Sequence, residues 1–262
     1  VIFKSKRQKE LKRLYWWFRD DGTINAGDEL SRDIVSRLLD MRGYSLCCSV
    51  SRKRMLAVGS VIHYANTGDC IWGTGVNGKI PENMHRYRDL DVRAVRGPKT
   101  REYLQNKGIA VPEVFGDPGI LTDWIYPLDM LVKPEEFRST EPSVIRHLNE
   151  PPAELPSGTR EIDPRVSSMA FTREIVRSSC VLSSSLHGVI IAEAFGVPAV
   201  LVRPGSDETE FKYEDYFRGT GRSGARFASS YAEAVSLPHT EFRIPREAKQ
   251  ALFEAFPYDL WA

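Results

Sequence analysis

The feature that most constrains this chain is a series of short apolar runs that stop at glycine and alternate with stretches of helical periodicity. Residues 55–58 run into Gly59 and residues 70–72 into Gly73, as buried parallel strands do when they feed a functional loop. Residues 91–95 read as a further strand and residues 14–18 as an opening one. Between them Leu30, Ile34, Val35, Leu38 and Leu39 recur at helical spacing, with Asp28 or Ser31 as the cap and Gly43 as the terminator. Gly97-Pro98 opens a second helix through Leu104, with proline early, where its missing N–H does no harm.

Pro127, Pro134, Pro142, Pro151, Pro152 and Pro156 then interrupt the text, and only residues 143–147 look like a strand. Alternation resumes with strands at 160–162, 181–182 and 199–202, and helices at 166–177, 188–195 and 245–256. The expectation is an α/β fold of two Rossmann-like domains facing across a cleft. Residues 1–125 would form the first domain, 126–240 the second and 241–262 a C-terminal helix and tail, with the linker near 122–140. Ligands of such folds bind outside the carboxyl ends of the strands, so the cleft is the expected site.

A formal net charge of +1 gives no global field toward nucleic acid, and none is expected as a partner. Cys47, Cys48, Cys70 and Cys180 show no Cys-x-x-Cys spacing and read as reduced thiols. No His-x-x-x-His pair and no Walker loop occurs, so neither a metal site nor a phosphate-cradling P-loop is expected. No apolar run approaches the roughly 18–20 residues of a membrane span, and the start lacks the order of a signal peptide. The expected location is the cytoplasm. Lys4, Lys6, Arg7, Lys9, Lys12 and Arg13 precede Tyr15-Trp16-Trp17-Phe18, which leaves two readings open: a solvated tail before a buried strand, or peripheral contact with the cytoplasmic face of the membrane.

Four phrases stand in a fixed order: Asn25-Ala26-Gly27-Asp28, Val95-Arg96-Gly97-Pro98, Gly116-Asp117-Pro118 and Ser184-Ser185-Leu186-His187-Gly188. Together they resemble the signature of the polysaccharide pyruvyl transferases over nearly the whole chain. The ending, Phe256-Pro257-Tyr258-Asp259-Leu260-Trp261, is similar to that of the short exopolysaccharide branch. The resemblance implies a fold similar to the B-type glycosyltransferases, with the acceptor on the N-terminal side and the donor on the C-terminal side. It also implies transfer of the enolpyruvyl group of phosphoenolpyruvate onto a sugar diol, giving a pyruvate ketal, with no cofactor besides that donor. The acceptor would be a saccharide, lipid-linked or free.

The same resemblance implies that Arg96 binds phosphoenolpyruvate, with Arg93 as its near competitor, and that His187 is essential. Ser185, Leu186, Gly188, His63, Asn25 and Asp28 complete the expected substrate contacts. The glycine-rich loop that relatives carry after the third strand is read here as Gly59-Ser60-Val61-Ile62-His63, which departs from the family pattern. A guanidinium suits a carboxylate or phosphate because its planar fork stays charged at any working pH. An imidazole at a strand end suits proton transfer near neutrality.

Plainer readings stand beside these. His187 could cap its helix, Arg96 could serve a surface ion pair, Asn25, Gly27 and Asp28 could form a turn and cap, and Asp117 could fix a loop. His63 and His147 could be core or rim histidines. Two other functions also remain: a B-type glycosyltransferase using a nucleotide sugar, and a non-catalytic glycan-binding subunit.

Overall fold

The computed structural model describes residues 13–18, 21–48, 51, 53–152, 154–205 and 208–262. Lys4, Lys6, Arg7, Lys9 and Lys12 of the basic cluster lie outside the described residues. Strands β1 (Leu14–Tyr15), β2 (Met55–Leu56), β3 (Cys70–Trp72) and β4 (Asp91–Ala94) form one parallel sheet in sequential order. Strands β5 (Ser143–Ile145), β6 (Arg160–Glu161), β7 (Val181–Ser183) and β8 (Ala199–Leu201) form a second parallel sheet, ordered β6-β5-β7-β8. The α/β expectation, with two Rossmann-like parallel sheets, is met. Met55, Leu56, Cys70, Ile71 and Trp72 are all fully buried, which is why their runs read as continuously apolar.

The ladders are shorter than the apolar runs. Val95 and Val202 continue only as isolated bridges, to Phe115 and Ala228. The opening strand stops at Tyr15, and Trp17 leaves the ladder to line a cavity.

Helix α1 (Ala26–Asp40) buries Leu30, Ile34, Val35, Leu38 and Leu39, as its spacing predicts. Each such side chain contributes about 1.5–3 kcal/mol of burial, and truncating one to alanine would cost about 2–5 kcal/mol. Its cap differs from the expected Asp28 or Ser31: Asn25 accepts from the Gly27 N–H at 3.2 Å. Ser31 instead turns inward and accepts from the Val58 N–H at 3.1 Å, which ties the helix to the end of β2. Gly43, at φ +73°, supplies the left-handed residue beyond the helix end.

Helices α2 (Pro98–Gln105), α3 (Ser168–Arg177), α4 (Leu186–Ala194), α5 (Phe211–Gly219) and α6 (Arg246–Glu254) follow. Helix α4 begins two residues before the expected Gly188. A Cβ on Gly188 would lie 2.5 Å from Ser183 Oγ and 3.2 Å from Ile145 Cδ1, so this glycine permits close packing of α4 on β5 and β7 rather than starting the helix. Residues 122–131, expected near a linker, hold two short helical segments. The indole N–H of Trp72 donates to the Leu252 carbonyl at 2.9 Å, so α6 returns to the first sheet. One apolar cluster joins both halves, with Leu30, Trp72, Ile190 and Leu252 among its members. Among the described residues no helix is long and apolar enough to cross a membrane.

Candidate active site

In the second sheet β5 has β6 on one side and β7 on the other, so the strand order reverses there, the position where open α/β sheets form a ligand crevice. His147 follows β5, and Ser184 to His187 follow β7; the His147 N–H donates to Ser184 Oγ at 2.8 Å, joining the two strand ends. Trp17 beyond β1, Gly59 and Ser60 beyond β2, and Asn77 and Lys79 beyond β3 face the same space. Glu208 and Lys212, beyond β8, complete it. The result is a cavity of about 240 Å³ lined from the carboxyl ends of strands in both sheets.

His187 occupies the first turn of α4, beside Gly27 and Gly59. Its Nε2 lies 3.9 Å from Asp117 Oδ2 and has no hydrogen-bond partner. Asp117 is fully buried and accepts from the N–H groups of Gly59 at 3.1 Å and Gly119 at 3.0 Å. It therefore fixes the loop, as its Gly-Asp-Pro setting suggests, and places a carboxylate beside the imidazole. Burial lowers the His187 pKa, and Lys212 and Arg96 add to this against the pull of Asp117. The ring is thus neutral near pH 7, with Nε2 buried beside the Asp117 carboxyl group.

Asp28 borders the same glycine as His187: a Cβ on Gly59 would be 3.2 Å from Asp28 Oδ1 and 3.7 Å from His187 Cε1. Asp28 Oδ2 accepts from Asn25 Nδ2 at 2.6 Å. Burial raises the Asp28 carboxyl to about 7, with Asp117 adding to the rise and Lys212 and Asn25 opposing it. A carboxyl near neutrality is able to act as acid or base.

A cationic group faces these residues. Glu208 is bridged by the ammonium groups of Lys79, through Oε1, and Lys212, at 2.5 Å through Oε2. Burial would raise the Glu208 carboxyl, but the charge and hydrogen bond of Lys212 and the hydrogen bond of Lys79 outweigh it and hold the pKa at about 2. Burial lowers the Lys212 pKa against the opposing pull of Glu208. His147 Nε2 lies 3.4 Å from Lys212 Nζ, and burial with the Lys212 charge lowers this ring to about 4.

The structure brings His187, Asn25, Asp28, Ser185, Leu186 and His63 to the cavity wall. The His63 ring is tilted against those of Tyr64 and His85, and burial, with His85 adding to it, lowers its pKa to about 4, so it is a neutral wall residue near pH 7. Gly188 lies behind the wall against β5 and β7. Arg93 is directed away, paired with Asp91 and with Asp259 near the C-terminus. Arg96 is fully buried beside the site: its guanidinium donates to Asp215 Oδ2 at 3.1 Å, to the Val76 carbonyl at 2.6 Å and to Ser60 Oγ. Of its partners, Ser60 reaches the cavity.

Sequence reasoning missed Lys79, Lys212 and Glu208. The loop that follows the third strand is Gly73-Thr74-Gly75-Val76-Asn77-Gly78-Lys79, whereas Gly59 follows the second, and that glycine pattern was the available signal for Lys79. Helix α5 was also unread, although Tyr213, Tyr216 and Phe217 recur at helical spacing.

A sequence model of the polysaccharide pyruvyl transferase family matches residues 25–206. The chain is 27% identical over 207 residues to an uncharacterized protein of Acanthamoeba polyphaga mimivirus, covering 74% of this chain and 70% of that protein. It is 29% identical over 222 residues to the succinoglycan biosynthesis protein ExoV of Rhizobium meliloti, covering 79% of this chain and 64% of that one. Among solved structures it is similar to a functionally uncharacterized protein of Klebsiella pneumoniae, with a TM-score of 0.49 and 12% identity, covering 87% of this chain and 98% of the other.

Proposed function

We propose, for a chain that belongs to the polysaccharide pyruvyl transferase family, that this cavity moves the enolpyruvyl group of phosphoenolpyruvate onto two hydroxyls of a saccharide, making a pyruvate ketal. The observation that carries the reading is the meeting of an unpartnered, neutral imidazole, His187, with two lysines in one cavity. Such a site offers a proton acceptor next to positive charge for an anionic donor.

In the proposed reaction one sugar hydroxyl adds to C2 of phosphoenolpyruvate while a proton reaches the C3 methylene. The second hydroxyl then closes on C2 as phosphate leaves. His187 would take a hydroxyl proton, and Asp28, whose carboxyl burial raises to about 7, would supply a proton. Lys79 and Lys212 would hold donor charge. Arg96 would act through the loop it holds, by way of Ser60 and Val76, rather than by direct grip.

The acceptor would be a saccharide of exopolysaccharide assembly, lipid-linked or free, met at the cytoplasmic face of the membrane. In this reading the two sheets belong to two facing domains, as in the B-type glycosyltransferases. A thermal-shift comparison of phosphoenolpyruvate with a panel of nucleotide sugars tests the donor, because a ligand that binds only the folded state raises stability. A rise with phosphoenolpyruvate alone is expected. A rise with a nucleotide sugar and none with phosphoenolpyruvate would overturn the reading in favour of glycosyl transfer.

A further inference from the structure

The carboxylate of Glu208 sits where an anionic ligand would sit. Its two oxygens are divided between two ammonium groups, Oε1 to Lys79 and Oε2 to Lys212, and the Glu208 side chain is only 3% exposed. Lys212 is carried on the first turn of α5 and His147 follows β5, whereas Glu208 lies on the non-helical stretch between β8 and α5. Lys212 is thus held on a helix, while Lys79, in the loop after β3, and Glu208 both sit on loops.

His147 lies beside this pair. His147 Nδ1 lies 3.4 Å from the Asn149 backbone nitrogen, and its Nε2 lies 3.4 Å from Lys212 Nζ. Glu208 Oε1 is 3.8 Å from His147 Nε2, beyond hydrogen-bond reach. Two ammonium groups and the His147 ring nitrogen thus converge on one carboxylate. A phosphomonoester offers three terminal oxygens and more negative charge.

We propose that Lys79, Lys212 and His147 form a phosphate subsite that Glu208 fills as an internal placeholder, and that a phosphate-bearing ligand binds by displacing the Glu208 carboxylate. The inference rests on the reading of this cavity as a donor site, which it deepens by naming the group bound and its competitor. While empty, the subsite keeps the buried Lys212 ammonium paired, since an uncompensated buried charge is strongly unfavourable. Bound affinity is correspondingly reduced by the fraction of molecules in which Glu208 holds the site.

Calorimetric titration of inorganic phosphate, phosphoenolpyruvate and pyruvate into the wild-type chain and three variants tests it. Glu208→Gln is expected to tighten phosphate and phosphoenolpyruvate by about tenfold or more, and to leave pyruvate within about twofold. Lys79→Met, at a side chain 34% exposed and so able to change without loss of the fold, is expected to weaken both phosphate ligands about tenfold. Glu210→Gln removes an equal charge at the exposed Arg203 pair and should change nothing beyond about twofold. Unchanged or weaker phosphate binding in Glu208→Gln would overturn the proposal, as would equal tightening by Glu210→Gln, which would be a general field effect. Equal tightening of pyruvate would overturn the phosphate assignment. If phosphate responds as expected while phosphoenolpyruvate binds no better than phosphate in any form of the protein, the subsite stands and the donor reading fails.

Discussion

The imidazole of His187 fills the volume that a side chain at Gly27 would take: a Cβ built on Gly27 would lie 2.1 Å from His187 Nδ1 and 2.8 Å from its Cβ. Gly27 sits in the first turn of α1, where alanine is otherwise the better helix former. Gly27→Ala should therefore keep α1 but expel the ring, costing about 1–3 kcal/mol through overpacking. Turnover should fall roughly 100-fold, close to the effect of His187→Ala. Adding His187→Ala to Gly27→Ala should recover stability and no activity. Chemical denaturation with steady-state kinetics checks this, and wild-type turnover in Gly27→Ala would show that the ring's place is immaterial.

Asp28 gives a pH test with a definite sign. Its carboxyl rises from an ordinary 3.8 to about 7 in the folded chain, so between those values the folded state holds a proton that the unfolded state has lost. Stability contributed by this group falls as pH rises through that window and is lowest above about 7. Asp28→Asn should then be more stable than wild type at pH 8, by at most about 4 kcal/mol, with the difference gone below about pH 4. The pH–rate profile should lose a limb near 7. An equal stability difference at both pH values would contradict the buried-carboxyl assignment.

Much of the fold was legible because it rests on local patterns. The apolar stripe of α1, Pro98 at the start of α2 and the all-apolar β2 and β3 each record their burial in short stretches of sequence. The cavity wall was legible mainly where a phrase marked it, as at His187 and Asp28. Lys79 and Lys212 meet across 133 positions through Glu208, and a lysine on an amphipathic helix looks the same whether it faces solvent or a cavity. Arg96 shows the converse. Its place at a strand end was readable, but its inward direction depends on Asp215 in α5 and on the room left by Gly75, whose Cβ would lie 2.5 Å from Arg96 Cζ.

Arg96 and Asp215 are both wholly buried, and Thr100 also donates to Asp215 through its N–H at 2.9 Å and its hydroxyl at 2.6 Å. Arg96→Lys retains the charge but loses the fork that spans Asp215, Ser60 and Val76, so a loss of about 3 kcal/mol or more is expected. Arg93→Ala breaks only partly exposed pairs and should cost about 1 kcal/mol or less, with donor kinetics unchanged. Urea unfolding and the KM for phosphoenolpyruvate distinguish the two. Full stability in Arg96→Lys with a large rise in KM would show that Arg96 holds the donor directly.

The most direct test of ketal transfer by this cavity is phosphate release from phosphoenolpyruvate, measured together with pyruvylation of saccharide acceptors, free and lipid-linked, in wild type and in His187→Asn. Wild type should release one phosphate for each pyruvate ketal formed, with no nucleotide present. His187→Asn, which keeps a neutral hydrogen-bonding group but cannot shuttle a proton near neutral pH, should lower turnover roughly 100-fold with donor affinity within a few-fold. Release of nucleotide from a sugar donor with phosphoenolpyruvate untouched, or most of the wild-type turnover in His187→Asn, would contradict it.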